Sequence, residues 1–286
     1  MKKMLNYIKL MRPKHYLKNV LVFVPAMYAE KLIDGAIMPS VVLAFVALCL
    51  VASGVYAAND IADAAKDAAH PVNKKRPIAS GAISKPAAAV FAVFLFAAGL
   101  SLAFFTAMQV FYFVAAYAVL FLAYSFWLKH LAVIDCFCIA TGFVLRIYIG
   151  GAAMSIGEMV SEWMFLTITA GSLFMAFGKR RGEMVQTSEP SARRVLNGYN
   201  LEFLNGIIFA CAGVTVVFYA LWARSNLADL MIFTVPLVVF IICKYLLNIH
   251  KNASYGDPIT VIFADKVLLS AIALFALLSL LFLYGV

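Results

Sequence analysis

The segment Asn59-Asp60-Ile61-Ala62-Asp63-Ala64-Ala65-Lys66-Asp67 concentrates acid in a chain that has only 14 Asp and Glu in all. The intervening Ala and Lys favour helix. At about 100° per residue, Asp60, Asp63 and Asp67 fall within an arc of roughly 60°, with Asn59 near its edge. Three carboxylates on one face repel one another unless a cation neutralises them. Hard oxygen ligands suit Mg2+, or Mn2+, and Mg2+ usually takes substrate phosphate oxygens as well. A plain solvated acidic helix end is the simpler alternative. The next segment, His70-Pro71-Val72-Asn73-Lys74-Lys75-Arg76-Pro77, sets three cations directly after the three carboxylates. Its prolines break helix and extend the chain. Metal ligands on one side and phosphate donors on the other are what a metal–diphosphate would require. Taken singly, each basic residue could equally serve membrane topology, and His70 could be a structural hydrogen-bond partner.

A second polar set follows. Tyr124, Ser125 and Lys129 close one apolar run, and Asp135 opens the next. Arg146 lies within that next run, eleven residues past Asp135. An intramembrane Arg is costly and is by default functional. The two share a helix face but stand roughly 16 Å apart along the axis. A phosphate or another helix is therefore the expected partner of Arg146, rather than Asp135. Further on, Lys179, Arg180 and Arg181, then Arg193 and Arg194, form a candidate anion-binding set.

The elements that must hold these residues are membrane spans. Of the 286 residues, 65% are apolar and 13% charged, against roughly 25% charged in soluble domains. That excludes a soluble globular protein and a basic nucleic-acid-binding domain. Nine apolar runs reach the length of about 20 residues that a span needs: 19–38, 40–59, 86–107, 109–127, 132–152, 161–178, 205–224, 228–247 and 266–285. With the N-terminus inside, the outside segments hold only Lys31 and Arg224 of the 23 Lys and Arg. This asymmetry predicts a multi-pass plasma-membrane protein with a cytoplasmic N-terminus and site. Residues 1–18 read as an interfacial amphipathic helix. Residues 60–85 and 179–204 read as cytoplasmic loops carrying the chemistry, within a single catalytic domain over 1–286. The five cysteines lie in apolar stretches and read as small buried hydrophobes. There is no Gly-x-Ser-x-Gly, no His-Glu-x-x-His and no Gly-rich phosphate loop, so metal-assisted departure of a diphosphate is the favoured chemistry.

The pattern Asn59-Asp60-x-x-Asp63-x-x-x-Asp67 on a multi-span apolar chain resembles the first motif of the UbiA superfamily of membrane prenyltransferases. That resemblance implies an all-α membrane bundle of about nine transmembrane helices with a cytoplasm-facing, Mg2+-dependent site. General members carry a second motif, Asp-x-x-x-Asp; here Asp135 is followed by Ile139 at the second position. The rest is similar to the branch of decaprenyl-phosphate phosphoribosyltransferases. The matching stretches are Arg12-Pro13 with Lys18-Asn19, Arg76-Pro77-Ile78-Ala79-Ser80-Gly81, Tyr124-Ser125 with Lys129, Gly142 to Arg146, Gly178-Lys179-Arg180 with Glu183, and Arg193 with Tyr199. A departure is Asn73, where branch members often have Lys.

The resemblance implies transfer of 5-phosphoribose from 5-phosphoribosyl 1-diphosphate to a polyprenyl phosphate. Metal would sit on Asn59, Asp60, Asp63 and Asp67, with Lys129 and Asp135 joining the three aspartates in catalysis. Lys18, Asn19, His70, Lys74, Arg76, Tyr124, Arg146, Lys179, Arg180 and Arg193 would bind ribose and phosphates. The partners are these two substrates and the membrane, without nucleic acid; homo-oligomerisation stays open. Two other readings are an aromatic prenyltransferase using a prenyl diphosphate, and a lipid or anion transporter.

Overall fold

An apolar segment can enter a bilayer only when its own backbone groups are paired within the segment, so such segments fold as helix. The computed structural model describes residues 2–69, 73–154, 160–186, 194–225, 229–251 and 258–285, and among them the regular elements are all helices, joined by turns, without a strand. Seven helices are long and apolar enough to cross a membrane: Met38–Ala62, Lys85–Thr106, Met108–Phe126, Ile134–Ala153, Leu201–Ser225, Asp229–Lys251 and Lys266–Tyr284. The all-α, multi-pass architecture is therefore as expected, with seven such helices where nine runs were read.

Two of the nine runs differ for identifiable reasons. The segment 19–38 is not one helix. A 3-10 run, Pro13–Phe23, leads into a short helix, Val24–Tyr28, and turns follow. Helix Glu162–Gln186 has the length, but Lys179, Arg180, Arg181 and Glu183 occupy its last turns and lower its hydropathy. The expected loop 179–204 thus begins inside this helix. The expected 1–18 helix also ends early, at Met11, where Arg12 turns into the left-handed region (φ 55°) and Pro13 follows. Leu10 of this short helix is fully buried and Tyr7 packs on Phe91, while Met4, Leu5 and Ile8 stay exposed.

We number the helices α1 (Lys2–Met11), α2 (Val24–Tyr28), α3 (Met38–Ala62), α4 (Ala64–Ala69), α5 (Lys85–Thr106), α6 (Met108–Phe126), α7 (Ile134–Ala153), α8 (Glu162–Gln186), α9 (Leu201–Ser225), α10 (Val235–Lys251), α11 (Pro258–Ala264) and α12 (Lys266–Tyr284). The chain divides into two compact units, one of Met1–Lys129 with Leu145–Met159, the other of His130–Val144 with Val160–Val286.

In the first unit α3 is the central helix and packs against α5 and α6. Its buried Val41, Ala44, Leu48, Val51 and Ala52 recur every three or four residues, the period of one helix face. They form a core with Val110, Val114 and Tyr117 of α6 and Ile149 and Ala153 of α7. Gly150 of α7 lies directly against the carbonyl of Val22, and a Cβ there would overlap that backbone oxygen. Small residues let backbones approach this closely in membrane proteins.

In the second unit α8 packs against α9, and α10 against α9 and α12. Phe174 and Phe177 of α8, Leu204 and Ile208 of α9, Tyr245 and Ile249 of α10 and Leu268 of α12 form its core. Outward faces in both units carry exposed Val, Leu and Phe, such as Val90, Phe94, Phe209 and Leu277. Faces of that size suit a lipid solvent rather than water.

Candidate active site

In the first unit α3 ends at Ala62 and α4 begins at Ala64, with Asp63 as the residue between (φ −90°, ψ 2°). The helical bonding pattern nonetheless continues across the break, since Asp63 N–H donates to the Asn59 carbonyl at 2.9 Å and Asp67 N–H to the Asp63 carbonyl at 2.8 Å. Asp60 and Asp67, seven residues apart, stay on one face as expected. Both are almost fully buried, at 2% and 4% exposure. Asp63 and Asn59 are half-buried.

Each carboxylate is held by a basic partner. Arg12 donates to Asp60 Oδ1. Arg76 Nη1 bridges two acids, 2.5 Å from Asp67 Oδ2 and 3.4 Å from Asp60 Oδ1. Lys129 Nζ lies 2.8 Å from both carboxylate oxygens of Asp63. Asn73 donates to Asp67 Oδ1 at 2.9 Å. Among the described residues, no three acidic, His or Cys side chains converge on one cation position. In type the donors of Asn59, Asp60, Asp63 and Asp67 still fit a hard divalent ion. Their negative charge is at present answered by guanidinium and ammonium groups.

Local sequence explains how the basic groups reach the acids. Arg12 adopts a left-handed backbone, a conformation that costs a non-glycine residue about 1–2 kcal/mol. Such strain gathers at functional sites. Arg76 opens a tight turn closed by Ser80 N–H on the Arg76 carbonyl (2.9 Å), Gly81 N–H on Ile78 (3.1 Å) and Ile83 N–H on Pro77 (3.0 Å). Gly81 has φ +74°, which only glycine adopts without strain.

The same unit answers the question posed by Arg146. Its Nε donates to Asn19 Oδ1 at 3.0 Å and its Nη2 to the Tyr117 hydroxyl at 3.0 Å, with the guanidinium 5.0 Å from the Tyr117 ring centre. Asn19, fully buried, also donates to Cys49 Sγ at 3.2 Å. Other helices, as expected, supply these partners. Lys18 and Tyr124 are half-buried and Lys74 is exposed. His70 and Arg193 lie outside the described residues.

In the second unit Asp135, at the start of α7, does not face water. It is fully buried, 2.5 Å from Arg180 Nε, and accepts a 2.6 Å bond from the Tyr199 hydroxyl. Arg180, itself 1% exposed, also reaches Glu183 Oε2 at 2.6 Å. Burial, and then the hydrogen bond to Asp135, push the Tyr199 phenol well above its ordinary pKa. It therefore stays a donor to the carboxylate and does not become a second anion. Lys179, half-buried, precedes this network on α8.

Arg12, Asn73, Tyr117, Glu183 and Tyr199 join these clusters although the sequence reading assigned them no role in binding or catalysis. All but Tyr117 stand in or beside the motifs quoted above. Tyr117 carried no signal, because a tyrosine in an apolar helix reads as core.

Residues 20–264 match the model of the UbiA prenyltransferase family. The chain is 33% identical over 279 residues to the decaprenyl-phosphate phosphoribosyltransferase of Mycolicibacterium smegmatis, covering 91% of this chain and 87% of that one. It is 34% identical to the enzyme of the same name from Corynebacterium glutamicum, over 91% and 81% of the two chains. The solved structure of a UbiA homologue from Archaeoglobus fulgidus bound to GPP and Mg2+ superposes with a TM-score of 0.75 at 16% identity, covering 98% of each chain. At that identity the likeness shows the fold alone. The chain is a multi-pass membrane enzyme that belongs to the UbiA prenyltransferase family.

Proposed function

We propose that this enzyme transfers 5-phosphoribose from 5-phosphoribosyl 1-diphosphate to a polyprenyl phosphate, releasing diphosphate, at the cytoplasmic face of the plasma membrane. One observation carries the choice within the family. Asp135, where general members begin a second acidic motif, is fully buried in a pair with Arg180, and Ile139 stands where the second Asp would be. One acid of that second motif thus remains, and a basic group from another helix neutralises it. The names of the relatives agree with this choice.

The chemistry balances without a general base. A phosphate monoester has a second pKa near about 6 and is mostly dianionic at neutral pH. Its oxygen attacks C1 of the ribose and forms the new C1–O bond. The C1–O bond to diphosphate breaks, and diphosphate leaves with the electron pair. Mg2+ or Mn2+ held by Asn59, Asp60, Asp63 and Asp67 would supply charge neutralisation of that leaving group. Arg12, Arg76 and Lys129 lie on those same acids and would donate to phosphate oxygens. Arg146, Lys18, Lys74, Tyr124, Lys179, Arg180, His70 and Arg193 are the further substrate-binding candidates. The transition state is oxocarbenium-like, and attack opposite the leaving group inverts C1.

The test uses purified protein in detergent with Mg2+, phosphoribosyl diphosphate labelled in the ribose, and a polyprenyl phosphate. Label should enter the organic phase, and Asp60→Ala should abolish this. Failure across several chain lengths, with turnover of a prenyl diphosphate and an aromatic acceptor instead, would overturn the proposal.

A further inference from the structure

The acidic residues of the first unit are already neutralised. Three carboxylates (Asp60, Asp63, Asp67) face three cations (Arg12, Arg76, Lys129), and every acid has at least one basic contact. A divalent ion arriving alone meets a cluster of zero formal charge. To coordinate these oxygens it must displace the basic groups, which then lose their anionic partners. A diphosphate arriving alone meets cations already committed to carboxylates. When both arrive together, each displaced guanidinium or ammonium finds a phosphate oxygen as the ion takes its carboxylate.

From this we infer that Arg12, Arg76 and Lys129 are placeholders on the metal-binding carboxylates, and that they exchange from carboxylate to diphosphate in the step that admits the metal. The inference rests on the proposed metal–diphosphate reading of this cluster and deepens it. Arg76 is the principal placeholder, because its Nη1 touches both Asp60 and Asp67. Arg12 and Lys129 each hold one acid. The planar, multi-donor guanidinium matches carboxylate and phosphate equally, which suits it to the exchange. The device keeps the buried Asp60 and Asp67 from standing unpaired between turnovers, a state that is costly in a low dielectric.

The experiment measures Mn2+ retention by equilibrium dialysis of the full-length protein in detergent. With Mn2+ alone, Arg76→Gln should bind at least tenfold more tightly than the wild type, and Arg12→Gln severalfold more tightly. Exposed Lys75, beside Arg76 but outside the described ion pairs, provides the control. Lys75→Gln makes the same change in net charge and should alter affinity by less than twofold. Inorganic diphosphate, after correction for the Mn2+ it complexes in solution, should raise wild-type retention at least tenfold and raise Arg76→Gln much less. Equal tightening by Lys75→Gln and Arg76→Gln would mean general electrostatics and would overturn the exchange, as would no tightening by any variant. If Arg76→Gln elutes as aggregate, Arg12→Gln and Lys129→Gln decide by the same criterion. The predicted Mn2+ pattern without lipid labelling would leave the exchange standing and refute only the phosphoribosyl reading; labelling without the pattern would do the reverse.

Discussion

Replacing Arg180 with Met should unfold the second unit far more readily than its single methylene-scale change in volume suggests. Arg180 is 1% exposed and Asp135 is fully buried, 2.5 Å apart. Arg180→Met leaves the Asp135 carboxylate with the Tyr199 hydroxyl as its described side-chain donor. Breaking a buried pair by removing one partner costs about 3–5 kcal/mol. Tyr199→Phe removes one hydrogen bond to a charged group, worth about 1.5–3 kcal/mol. Glu183 has a 21% exposed side chain, and Glu183→Gln should cost less than about 1 kcal/mol. The informative variant is the double one, Asp135→Leu with Arg180→Met, which removes both charges. It should recover most of the loss, since apolar replacement of a buried pair is often neutral, while transfer activity stays absent. Unfolding by SDS in mixed micelles, followed by tryptophan fluorescence, gives the four corners of the cycle. Coupling of at least about 2 kcal/mol is expected for contacting residues. Strictly additive losses would refute the argument that these groups are stabilised by each other.

Three further outcomes follow from particular contacts. Gly150→Ala should abolish accumulation of folded protein, read as loss of the monodisperse peak in detergent chromatography, because its Cβ would meet the Val22 backbone carbonyl; a normal peak would show that the two backbones can separate. Gly81→Ala should lower stability by about 1–2 kcal/mol, since φ +74° is left-handed and nothing obstructs the space, and it should raise KM by shifting Arg76; an unchanged melting midpoint would refute it. Asp265 accepts from Lys244, caps α12 through Leu268 N–H and accepts from Asn248, and these bonds, that of Lys244 foremost, hold its carboxyl at about 2, below an unfolded value of about 4. The folded state therefore binds fewer protons between these values. The contribution is complete above about pH 4 and is lost as pH falls toward about 2. Asp265→Asn should flatten the acid limb of the stability curve there, and an unchanged slope would refute the assignment.

The amino-acid sequence determines much of this protein by itself. Its apolar runs dictate membrane helices, because unpaired backbone groups are prohibitively costly in lipid. The spacing that sets Asp60 and Asp67 on one face survives in three dimensions, since short-range helical bonding persists through the break at Asp63 and both acids meet Arg76, whereas Asp63 pairs separately with Lys129. The family motif is legible for the same reason, being local. Tertiary structure alone decided the rest. Whether 19–38 spans as one helix depended on how Pro13, Pro25 and their neighbours are packed, and the chain there forms 3-10 and short helical turns. No spacing could announce that Arg12, 48 residues before Asp60, or Lys129, 66 residues after Asp63, would close on those acids. Nor could it announce that Asp135 would be buried against Arg180 rather than facing water. Long-range ion pairs are set by the packing of whole helices, and only the folded chain brings such partners within bonding distance.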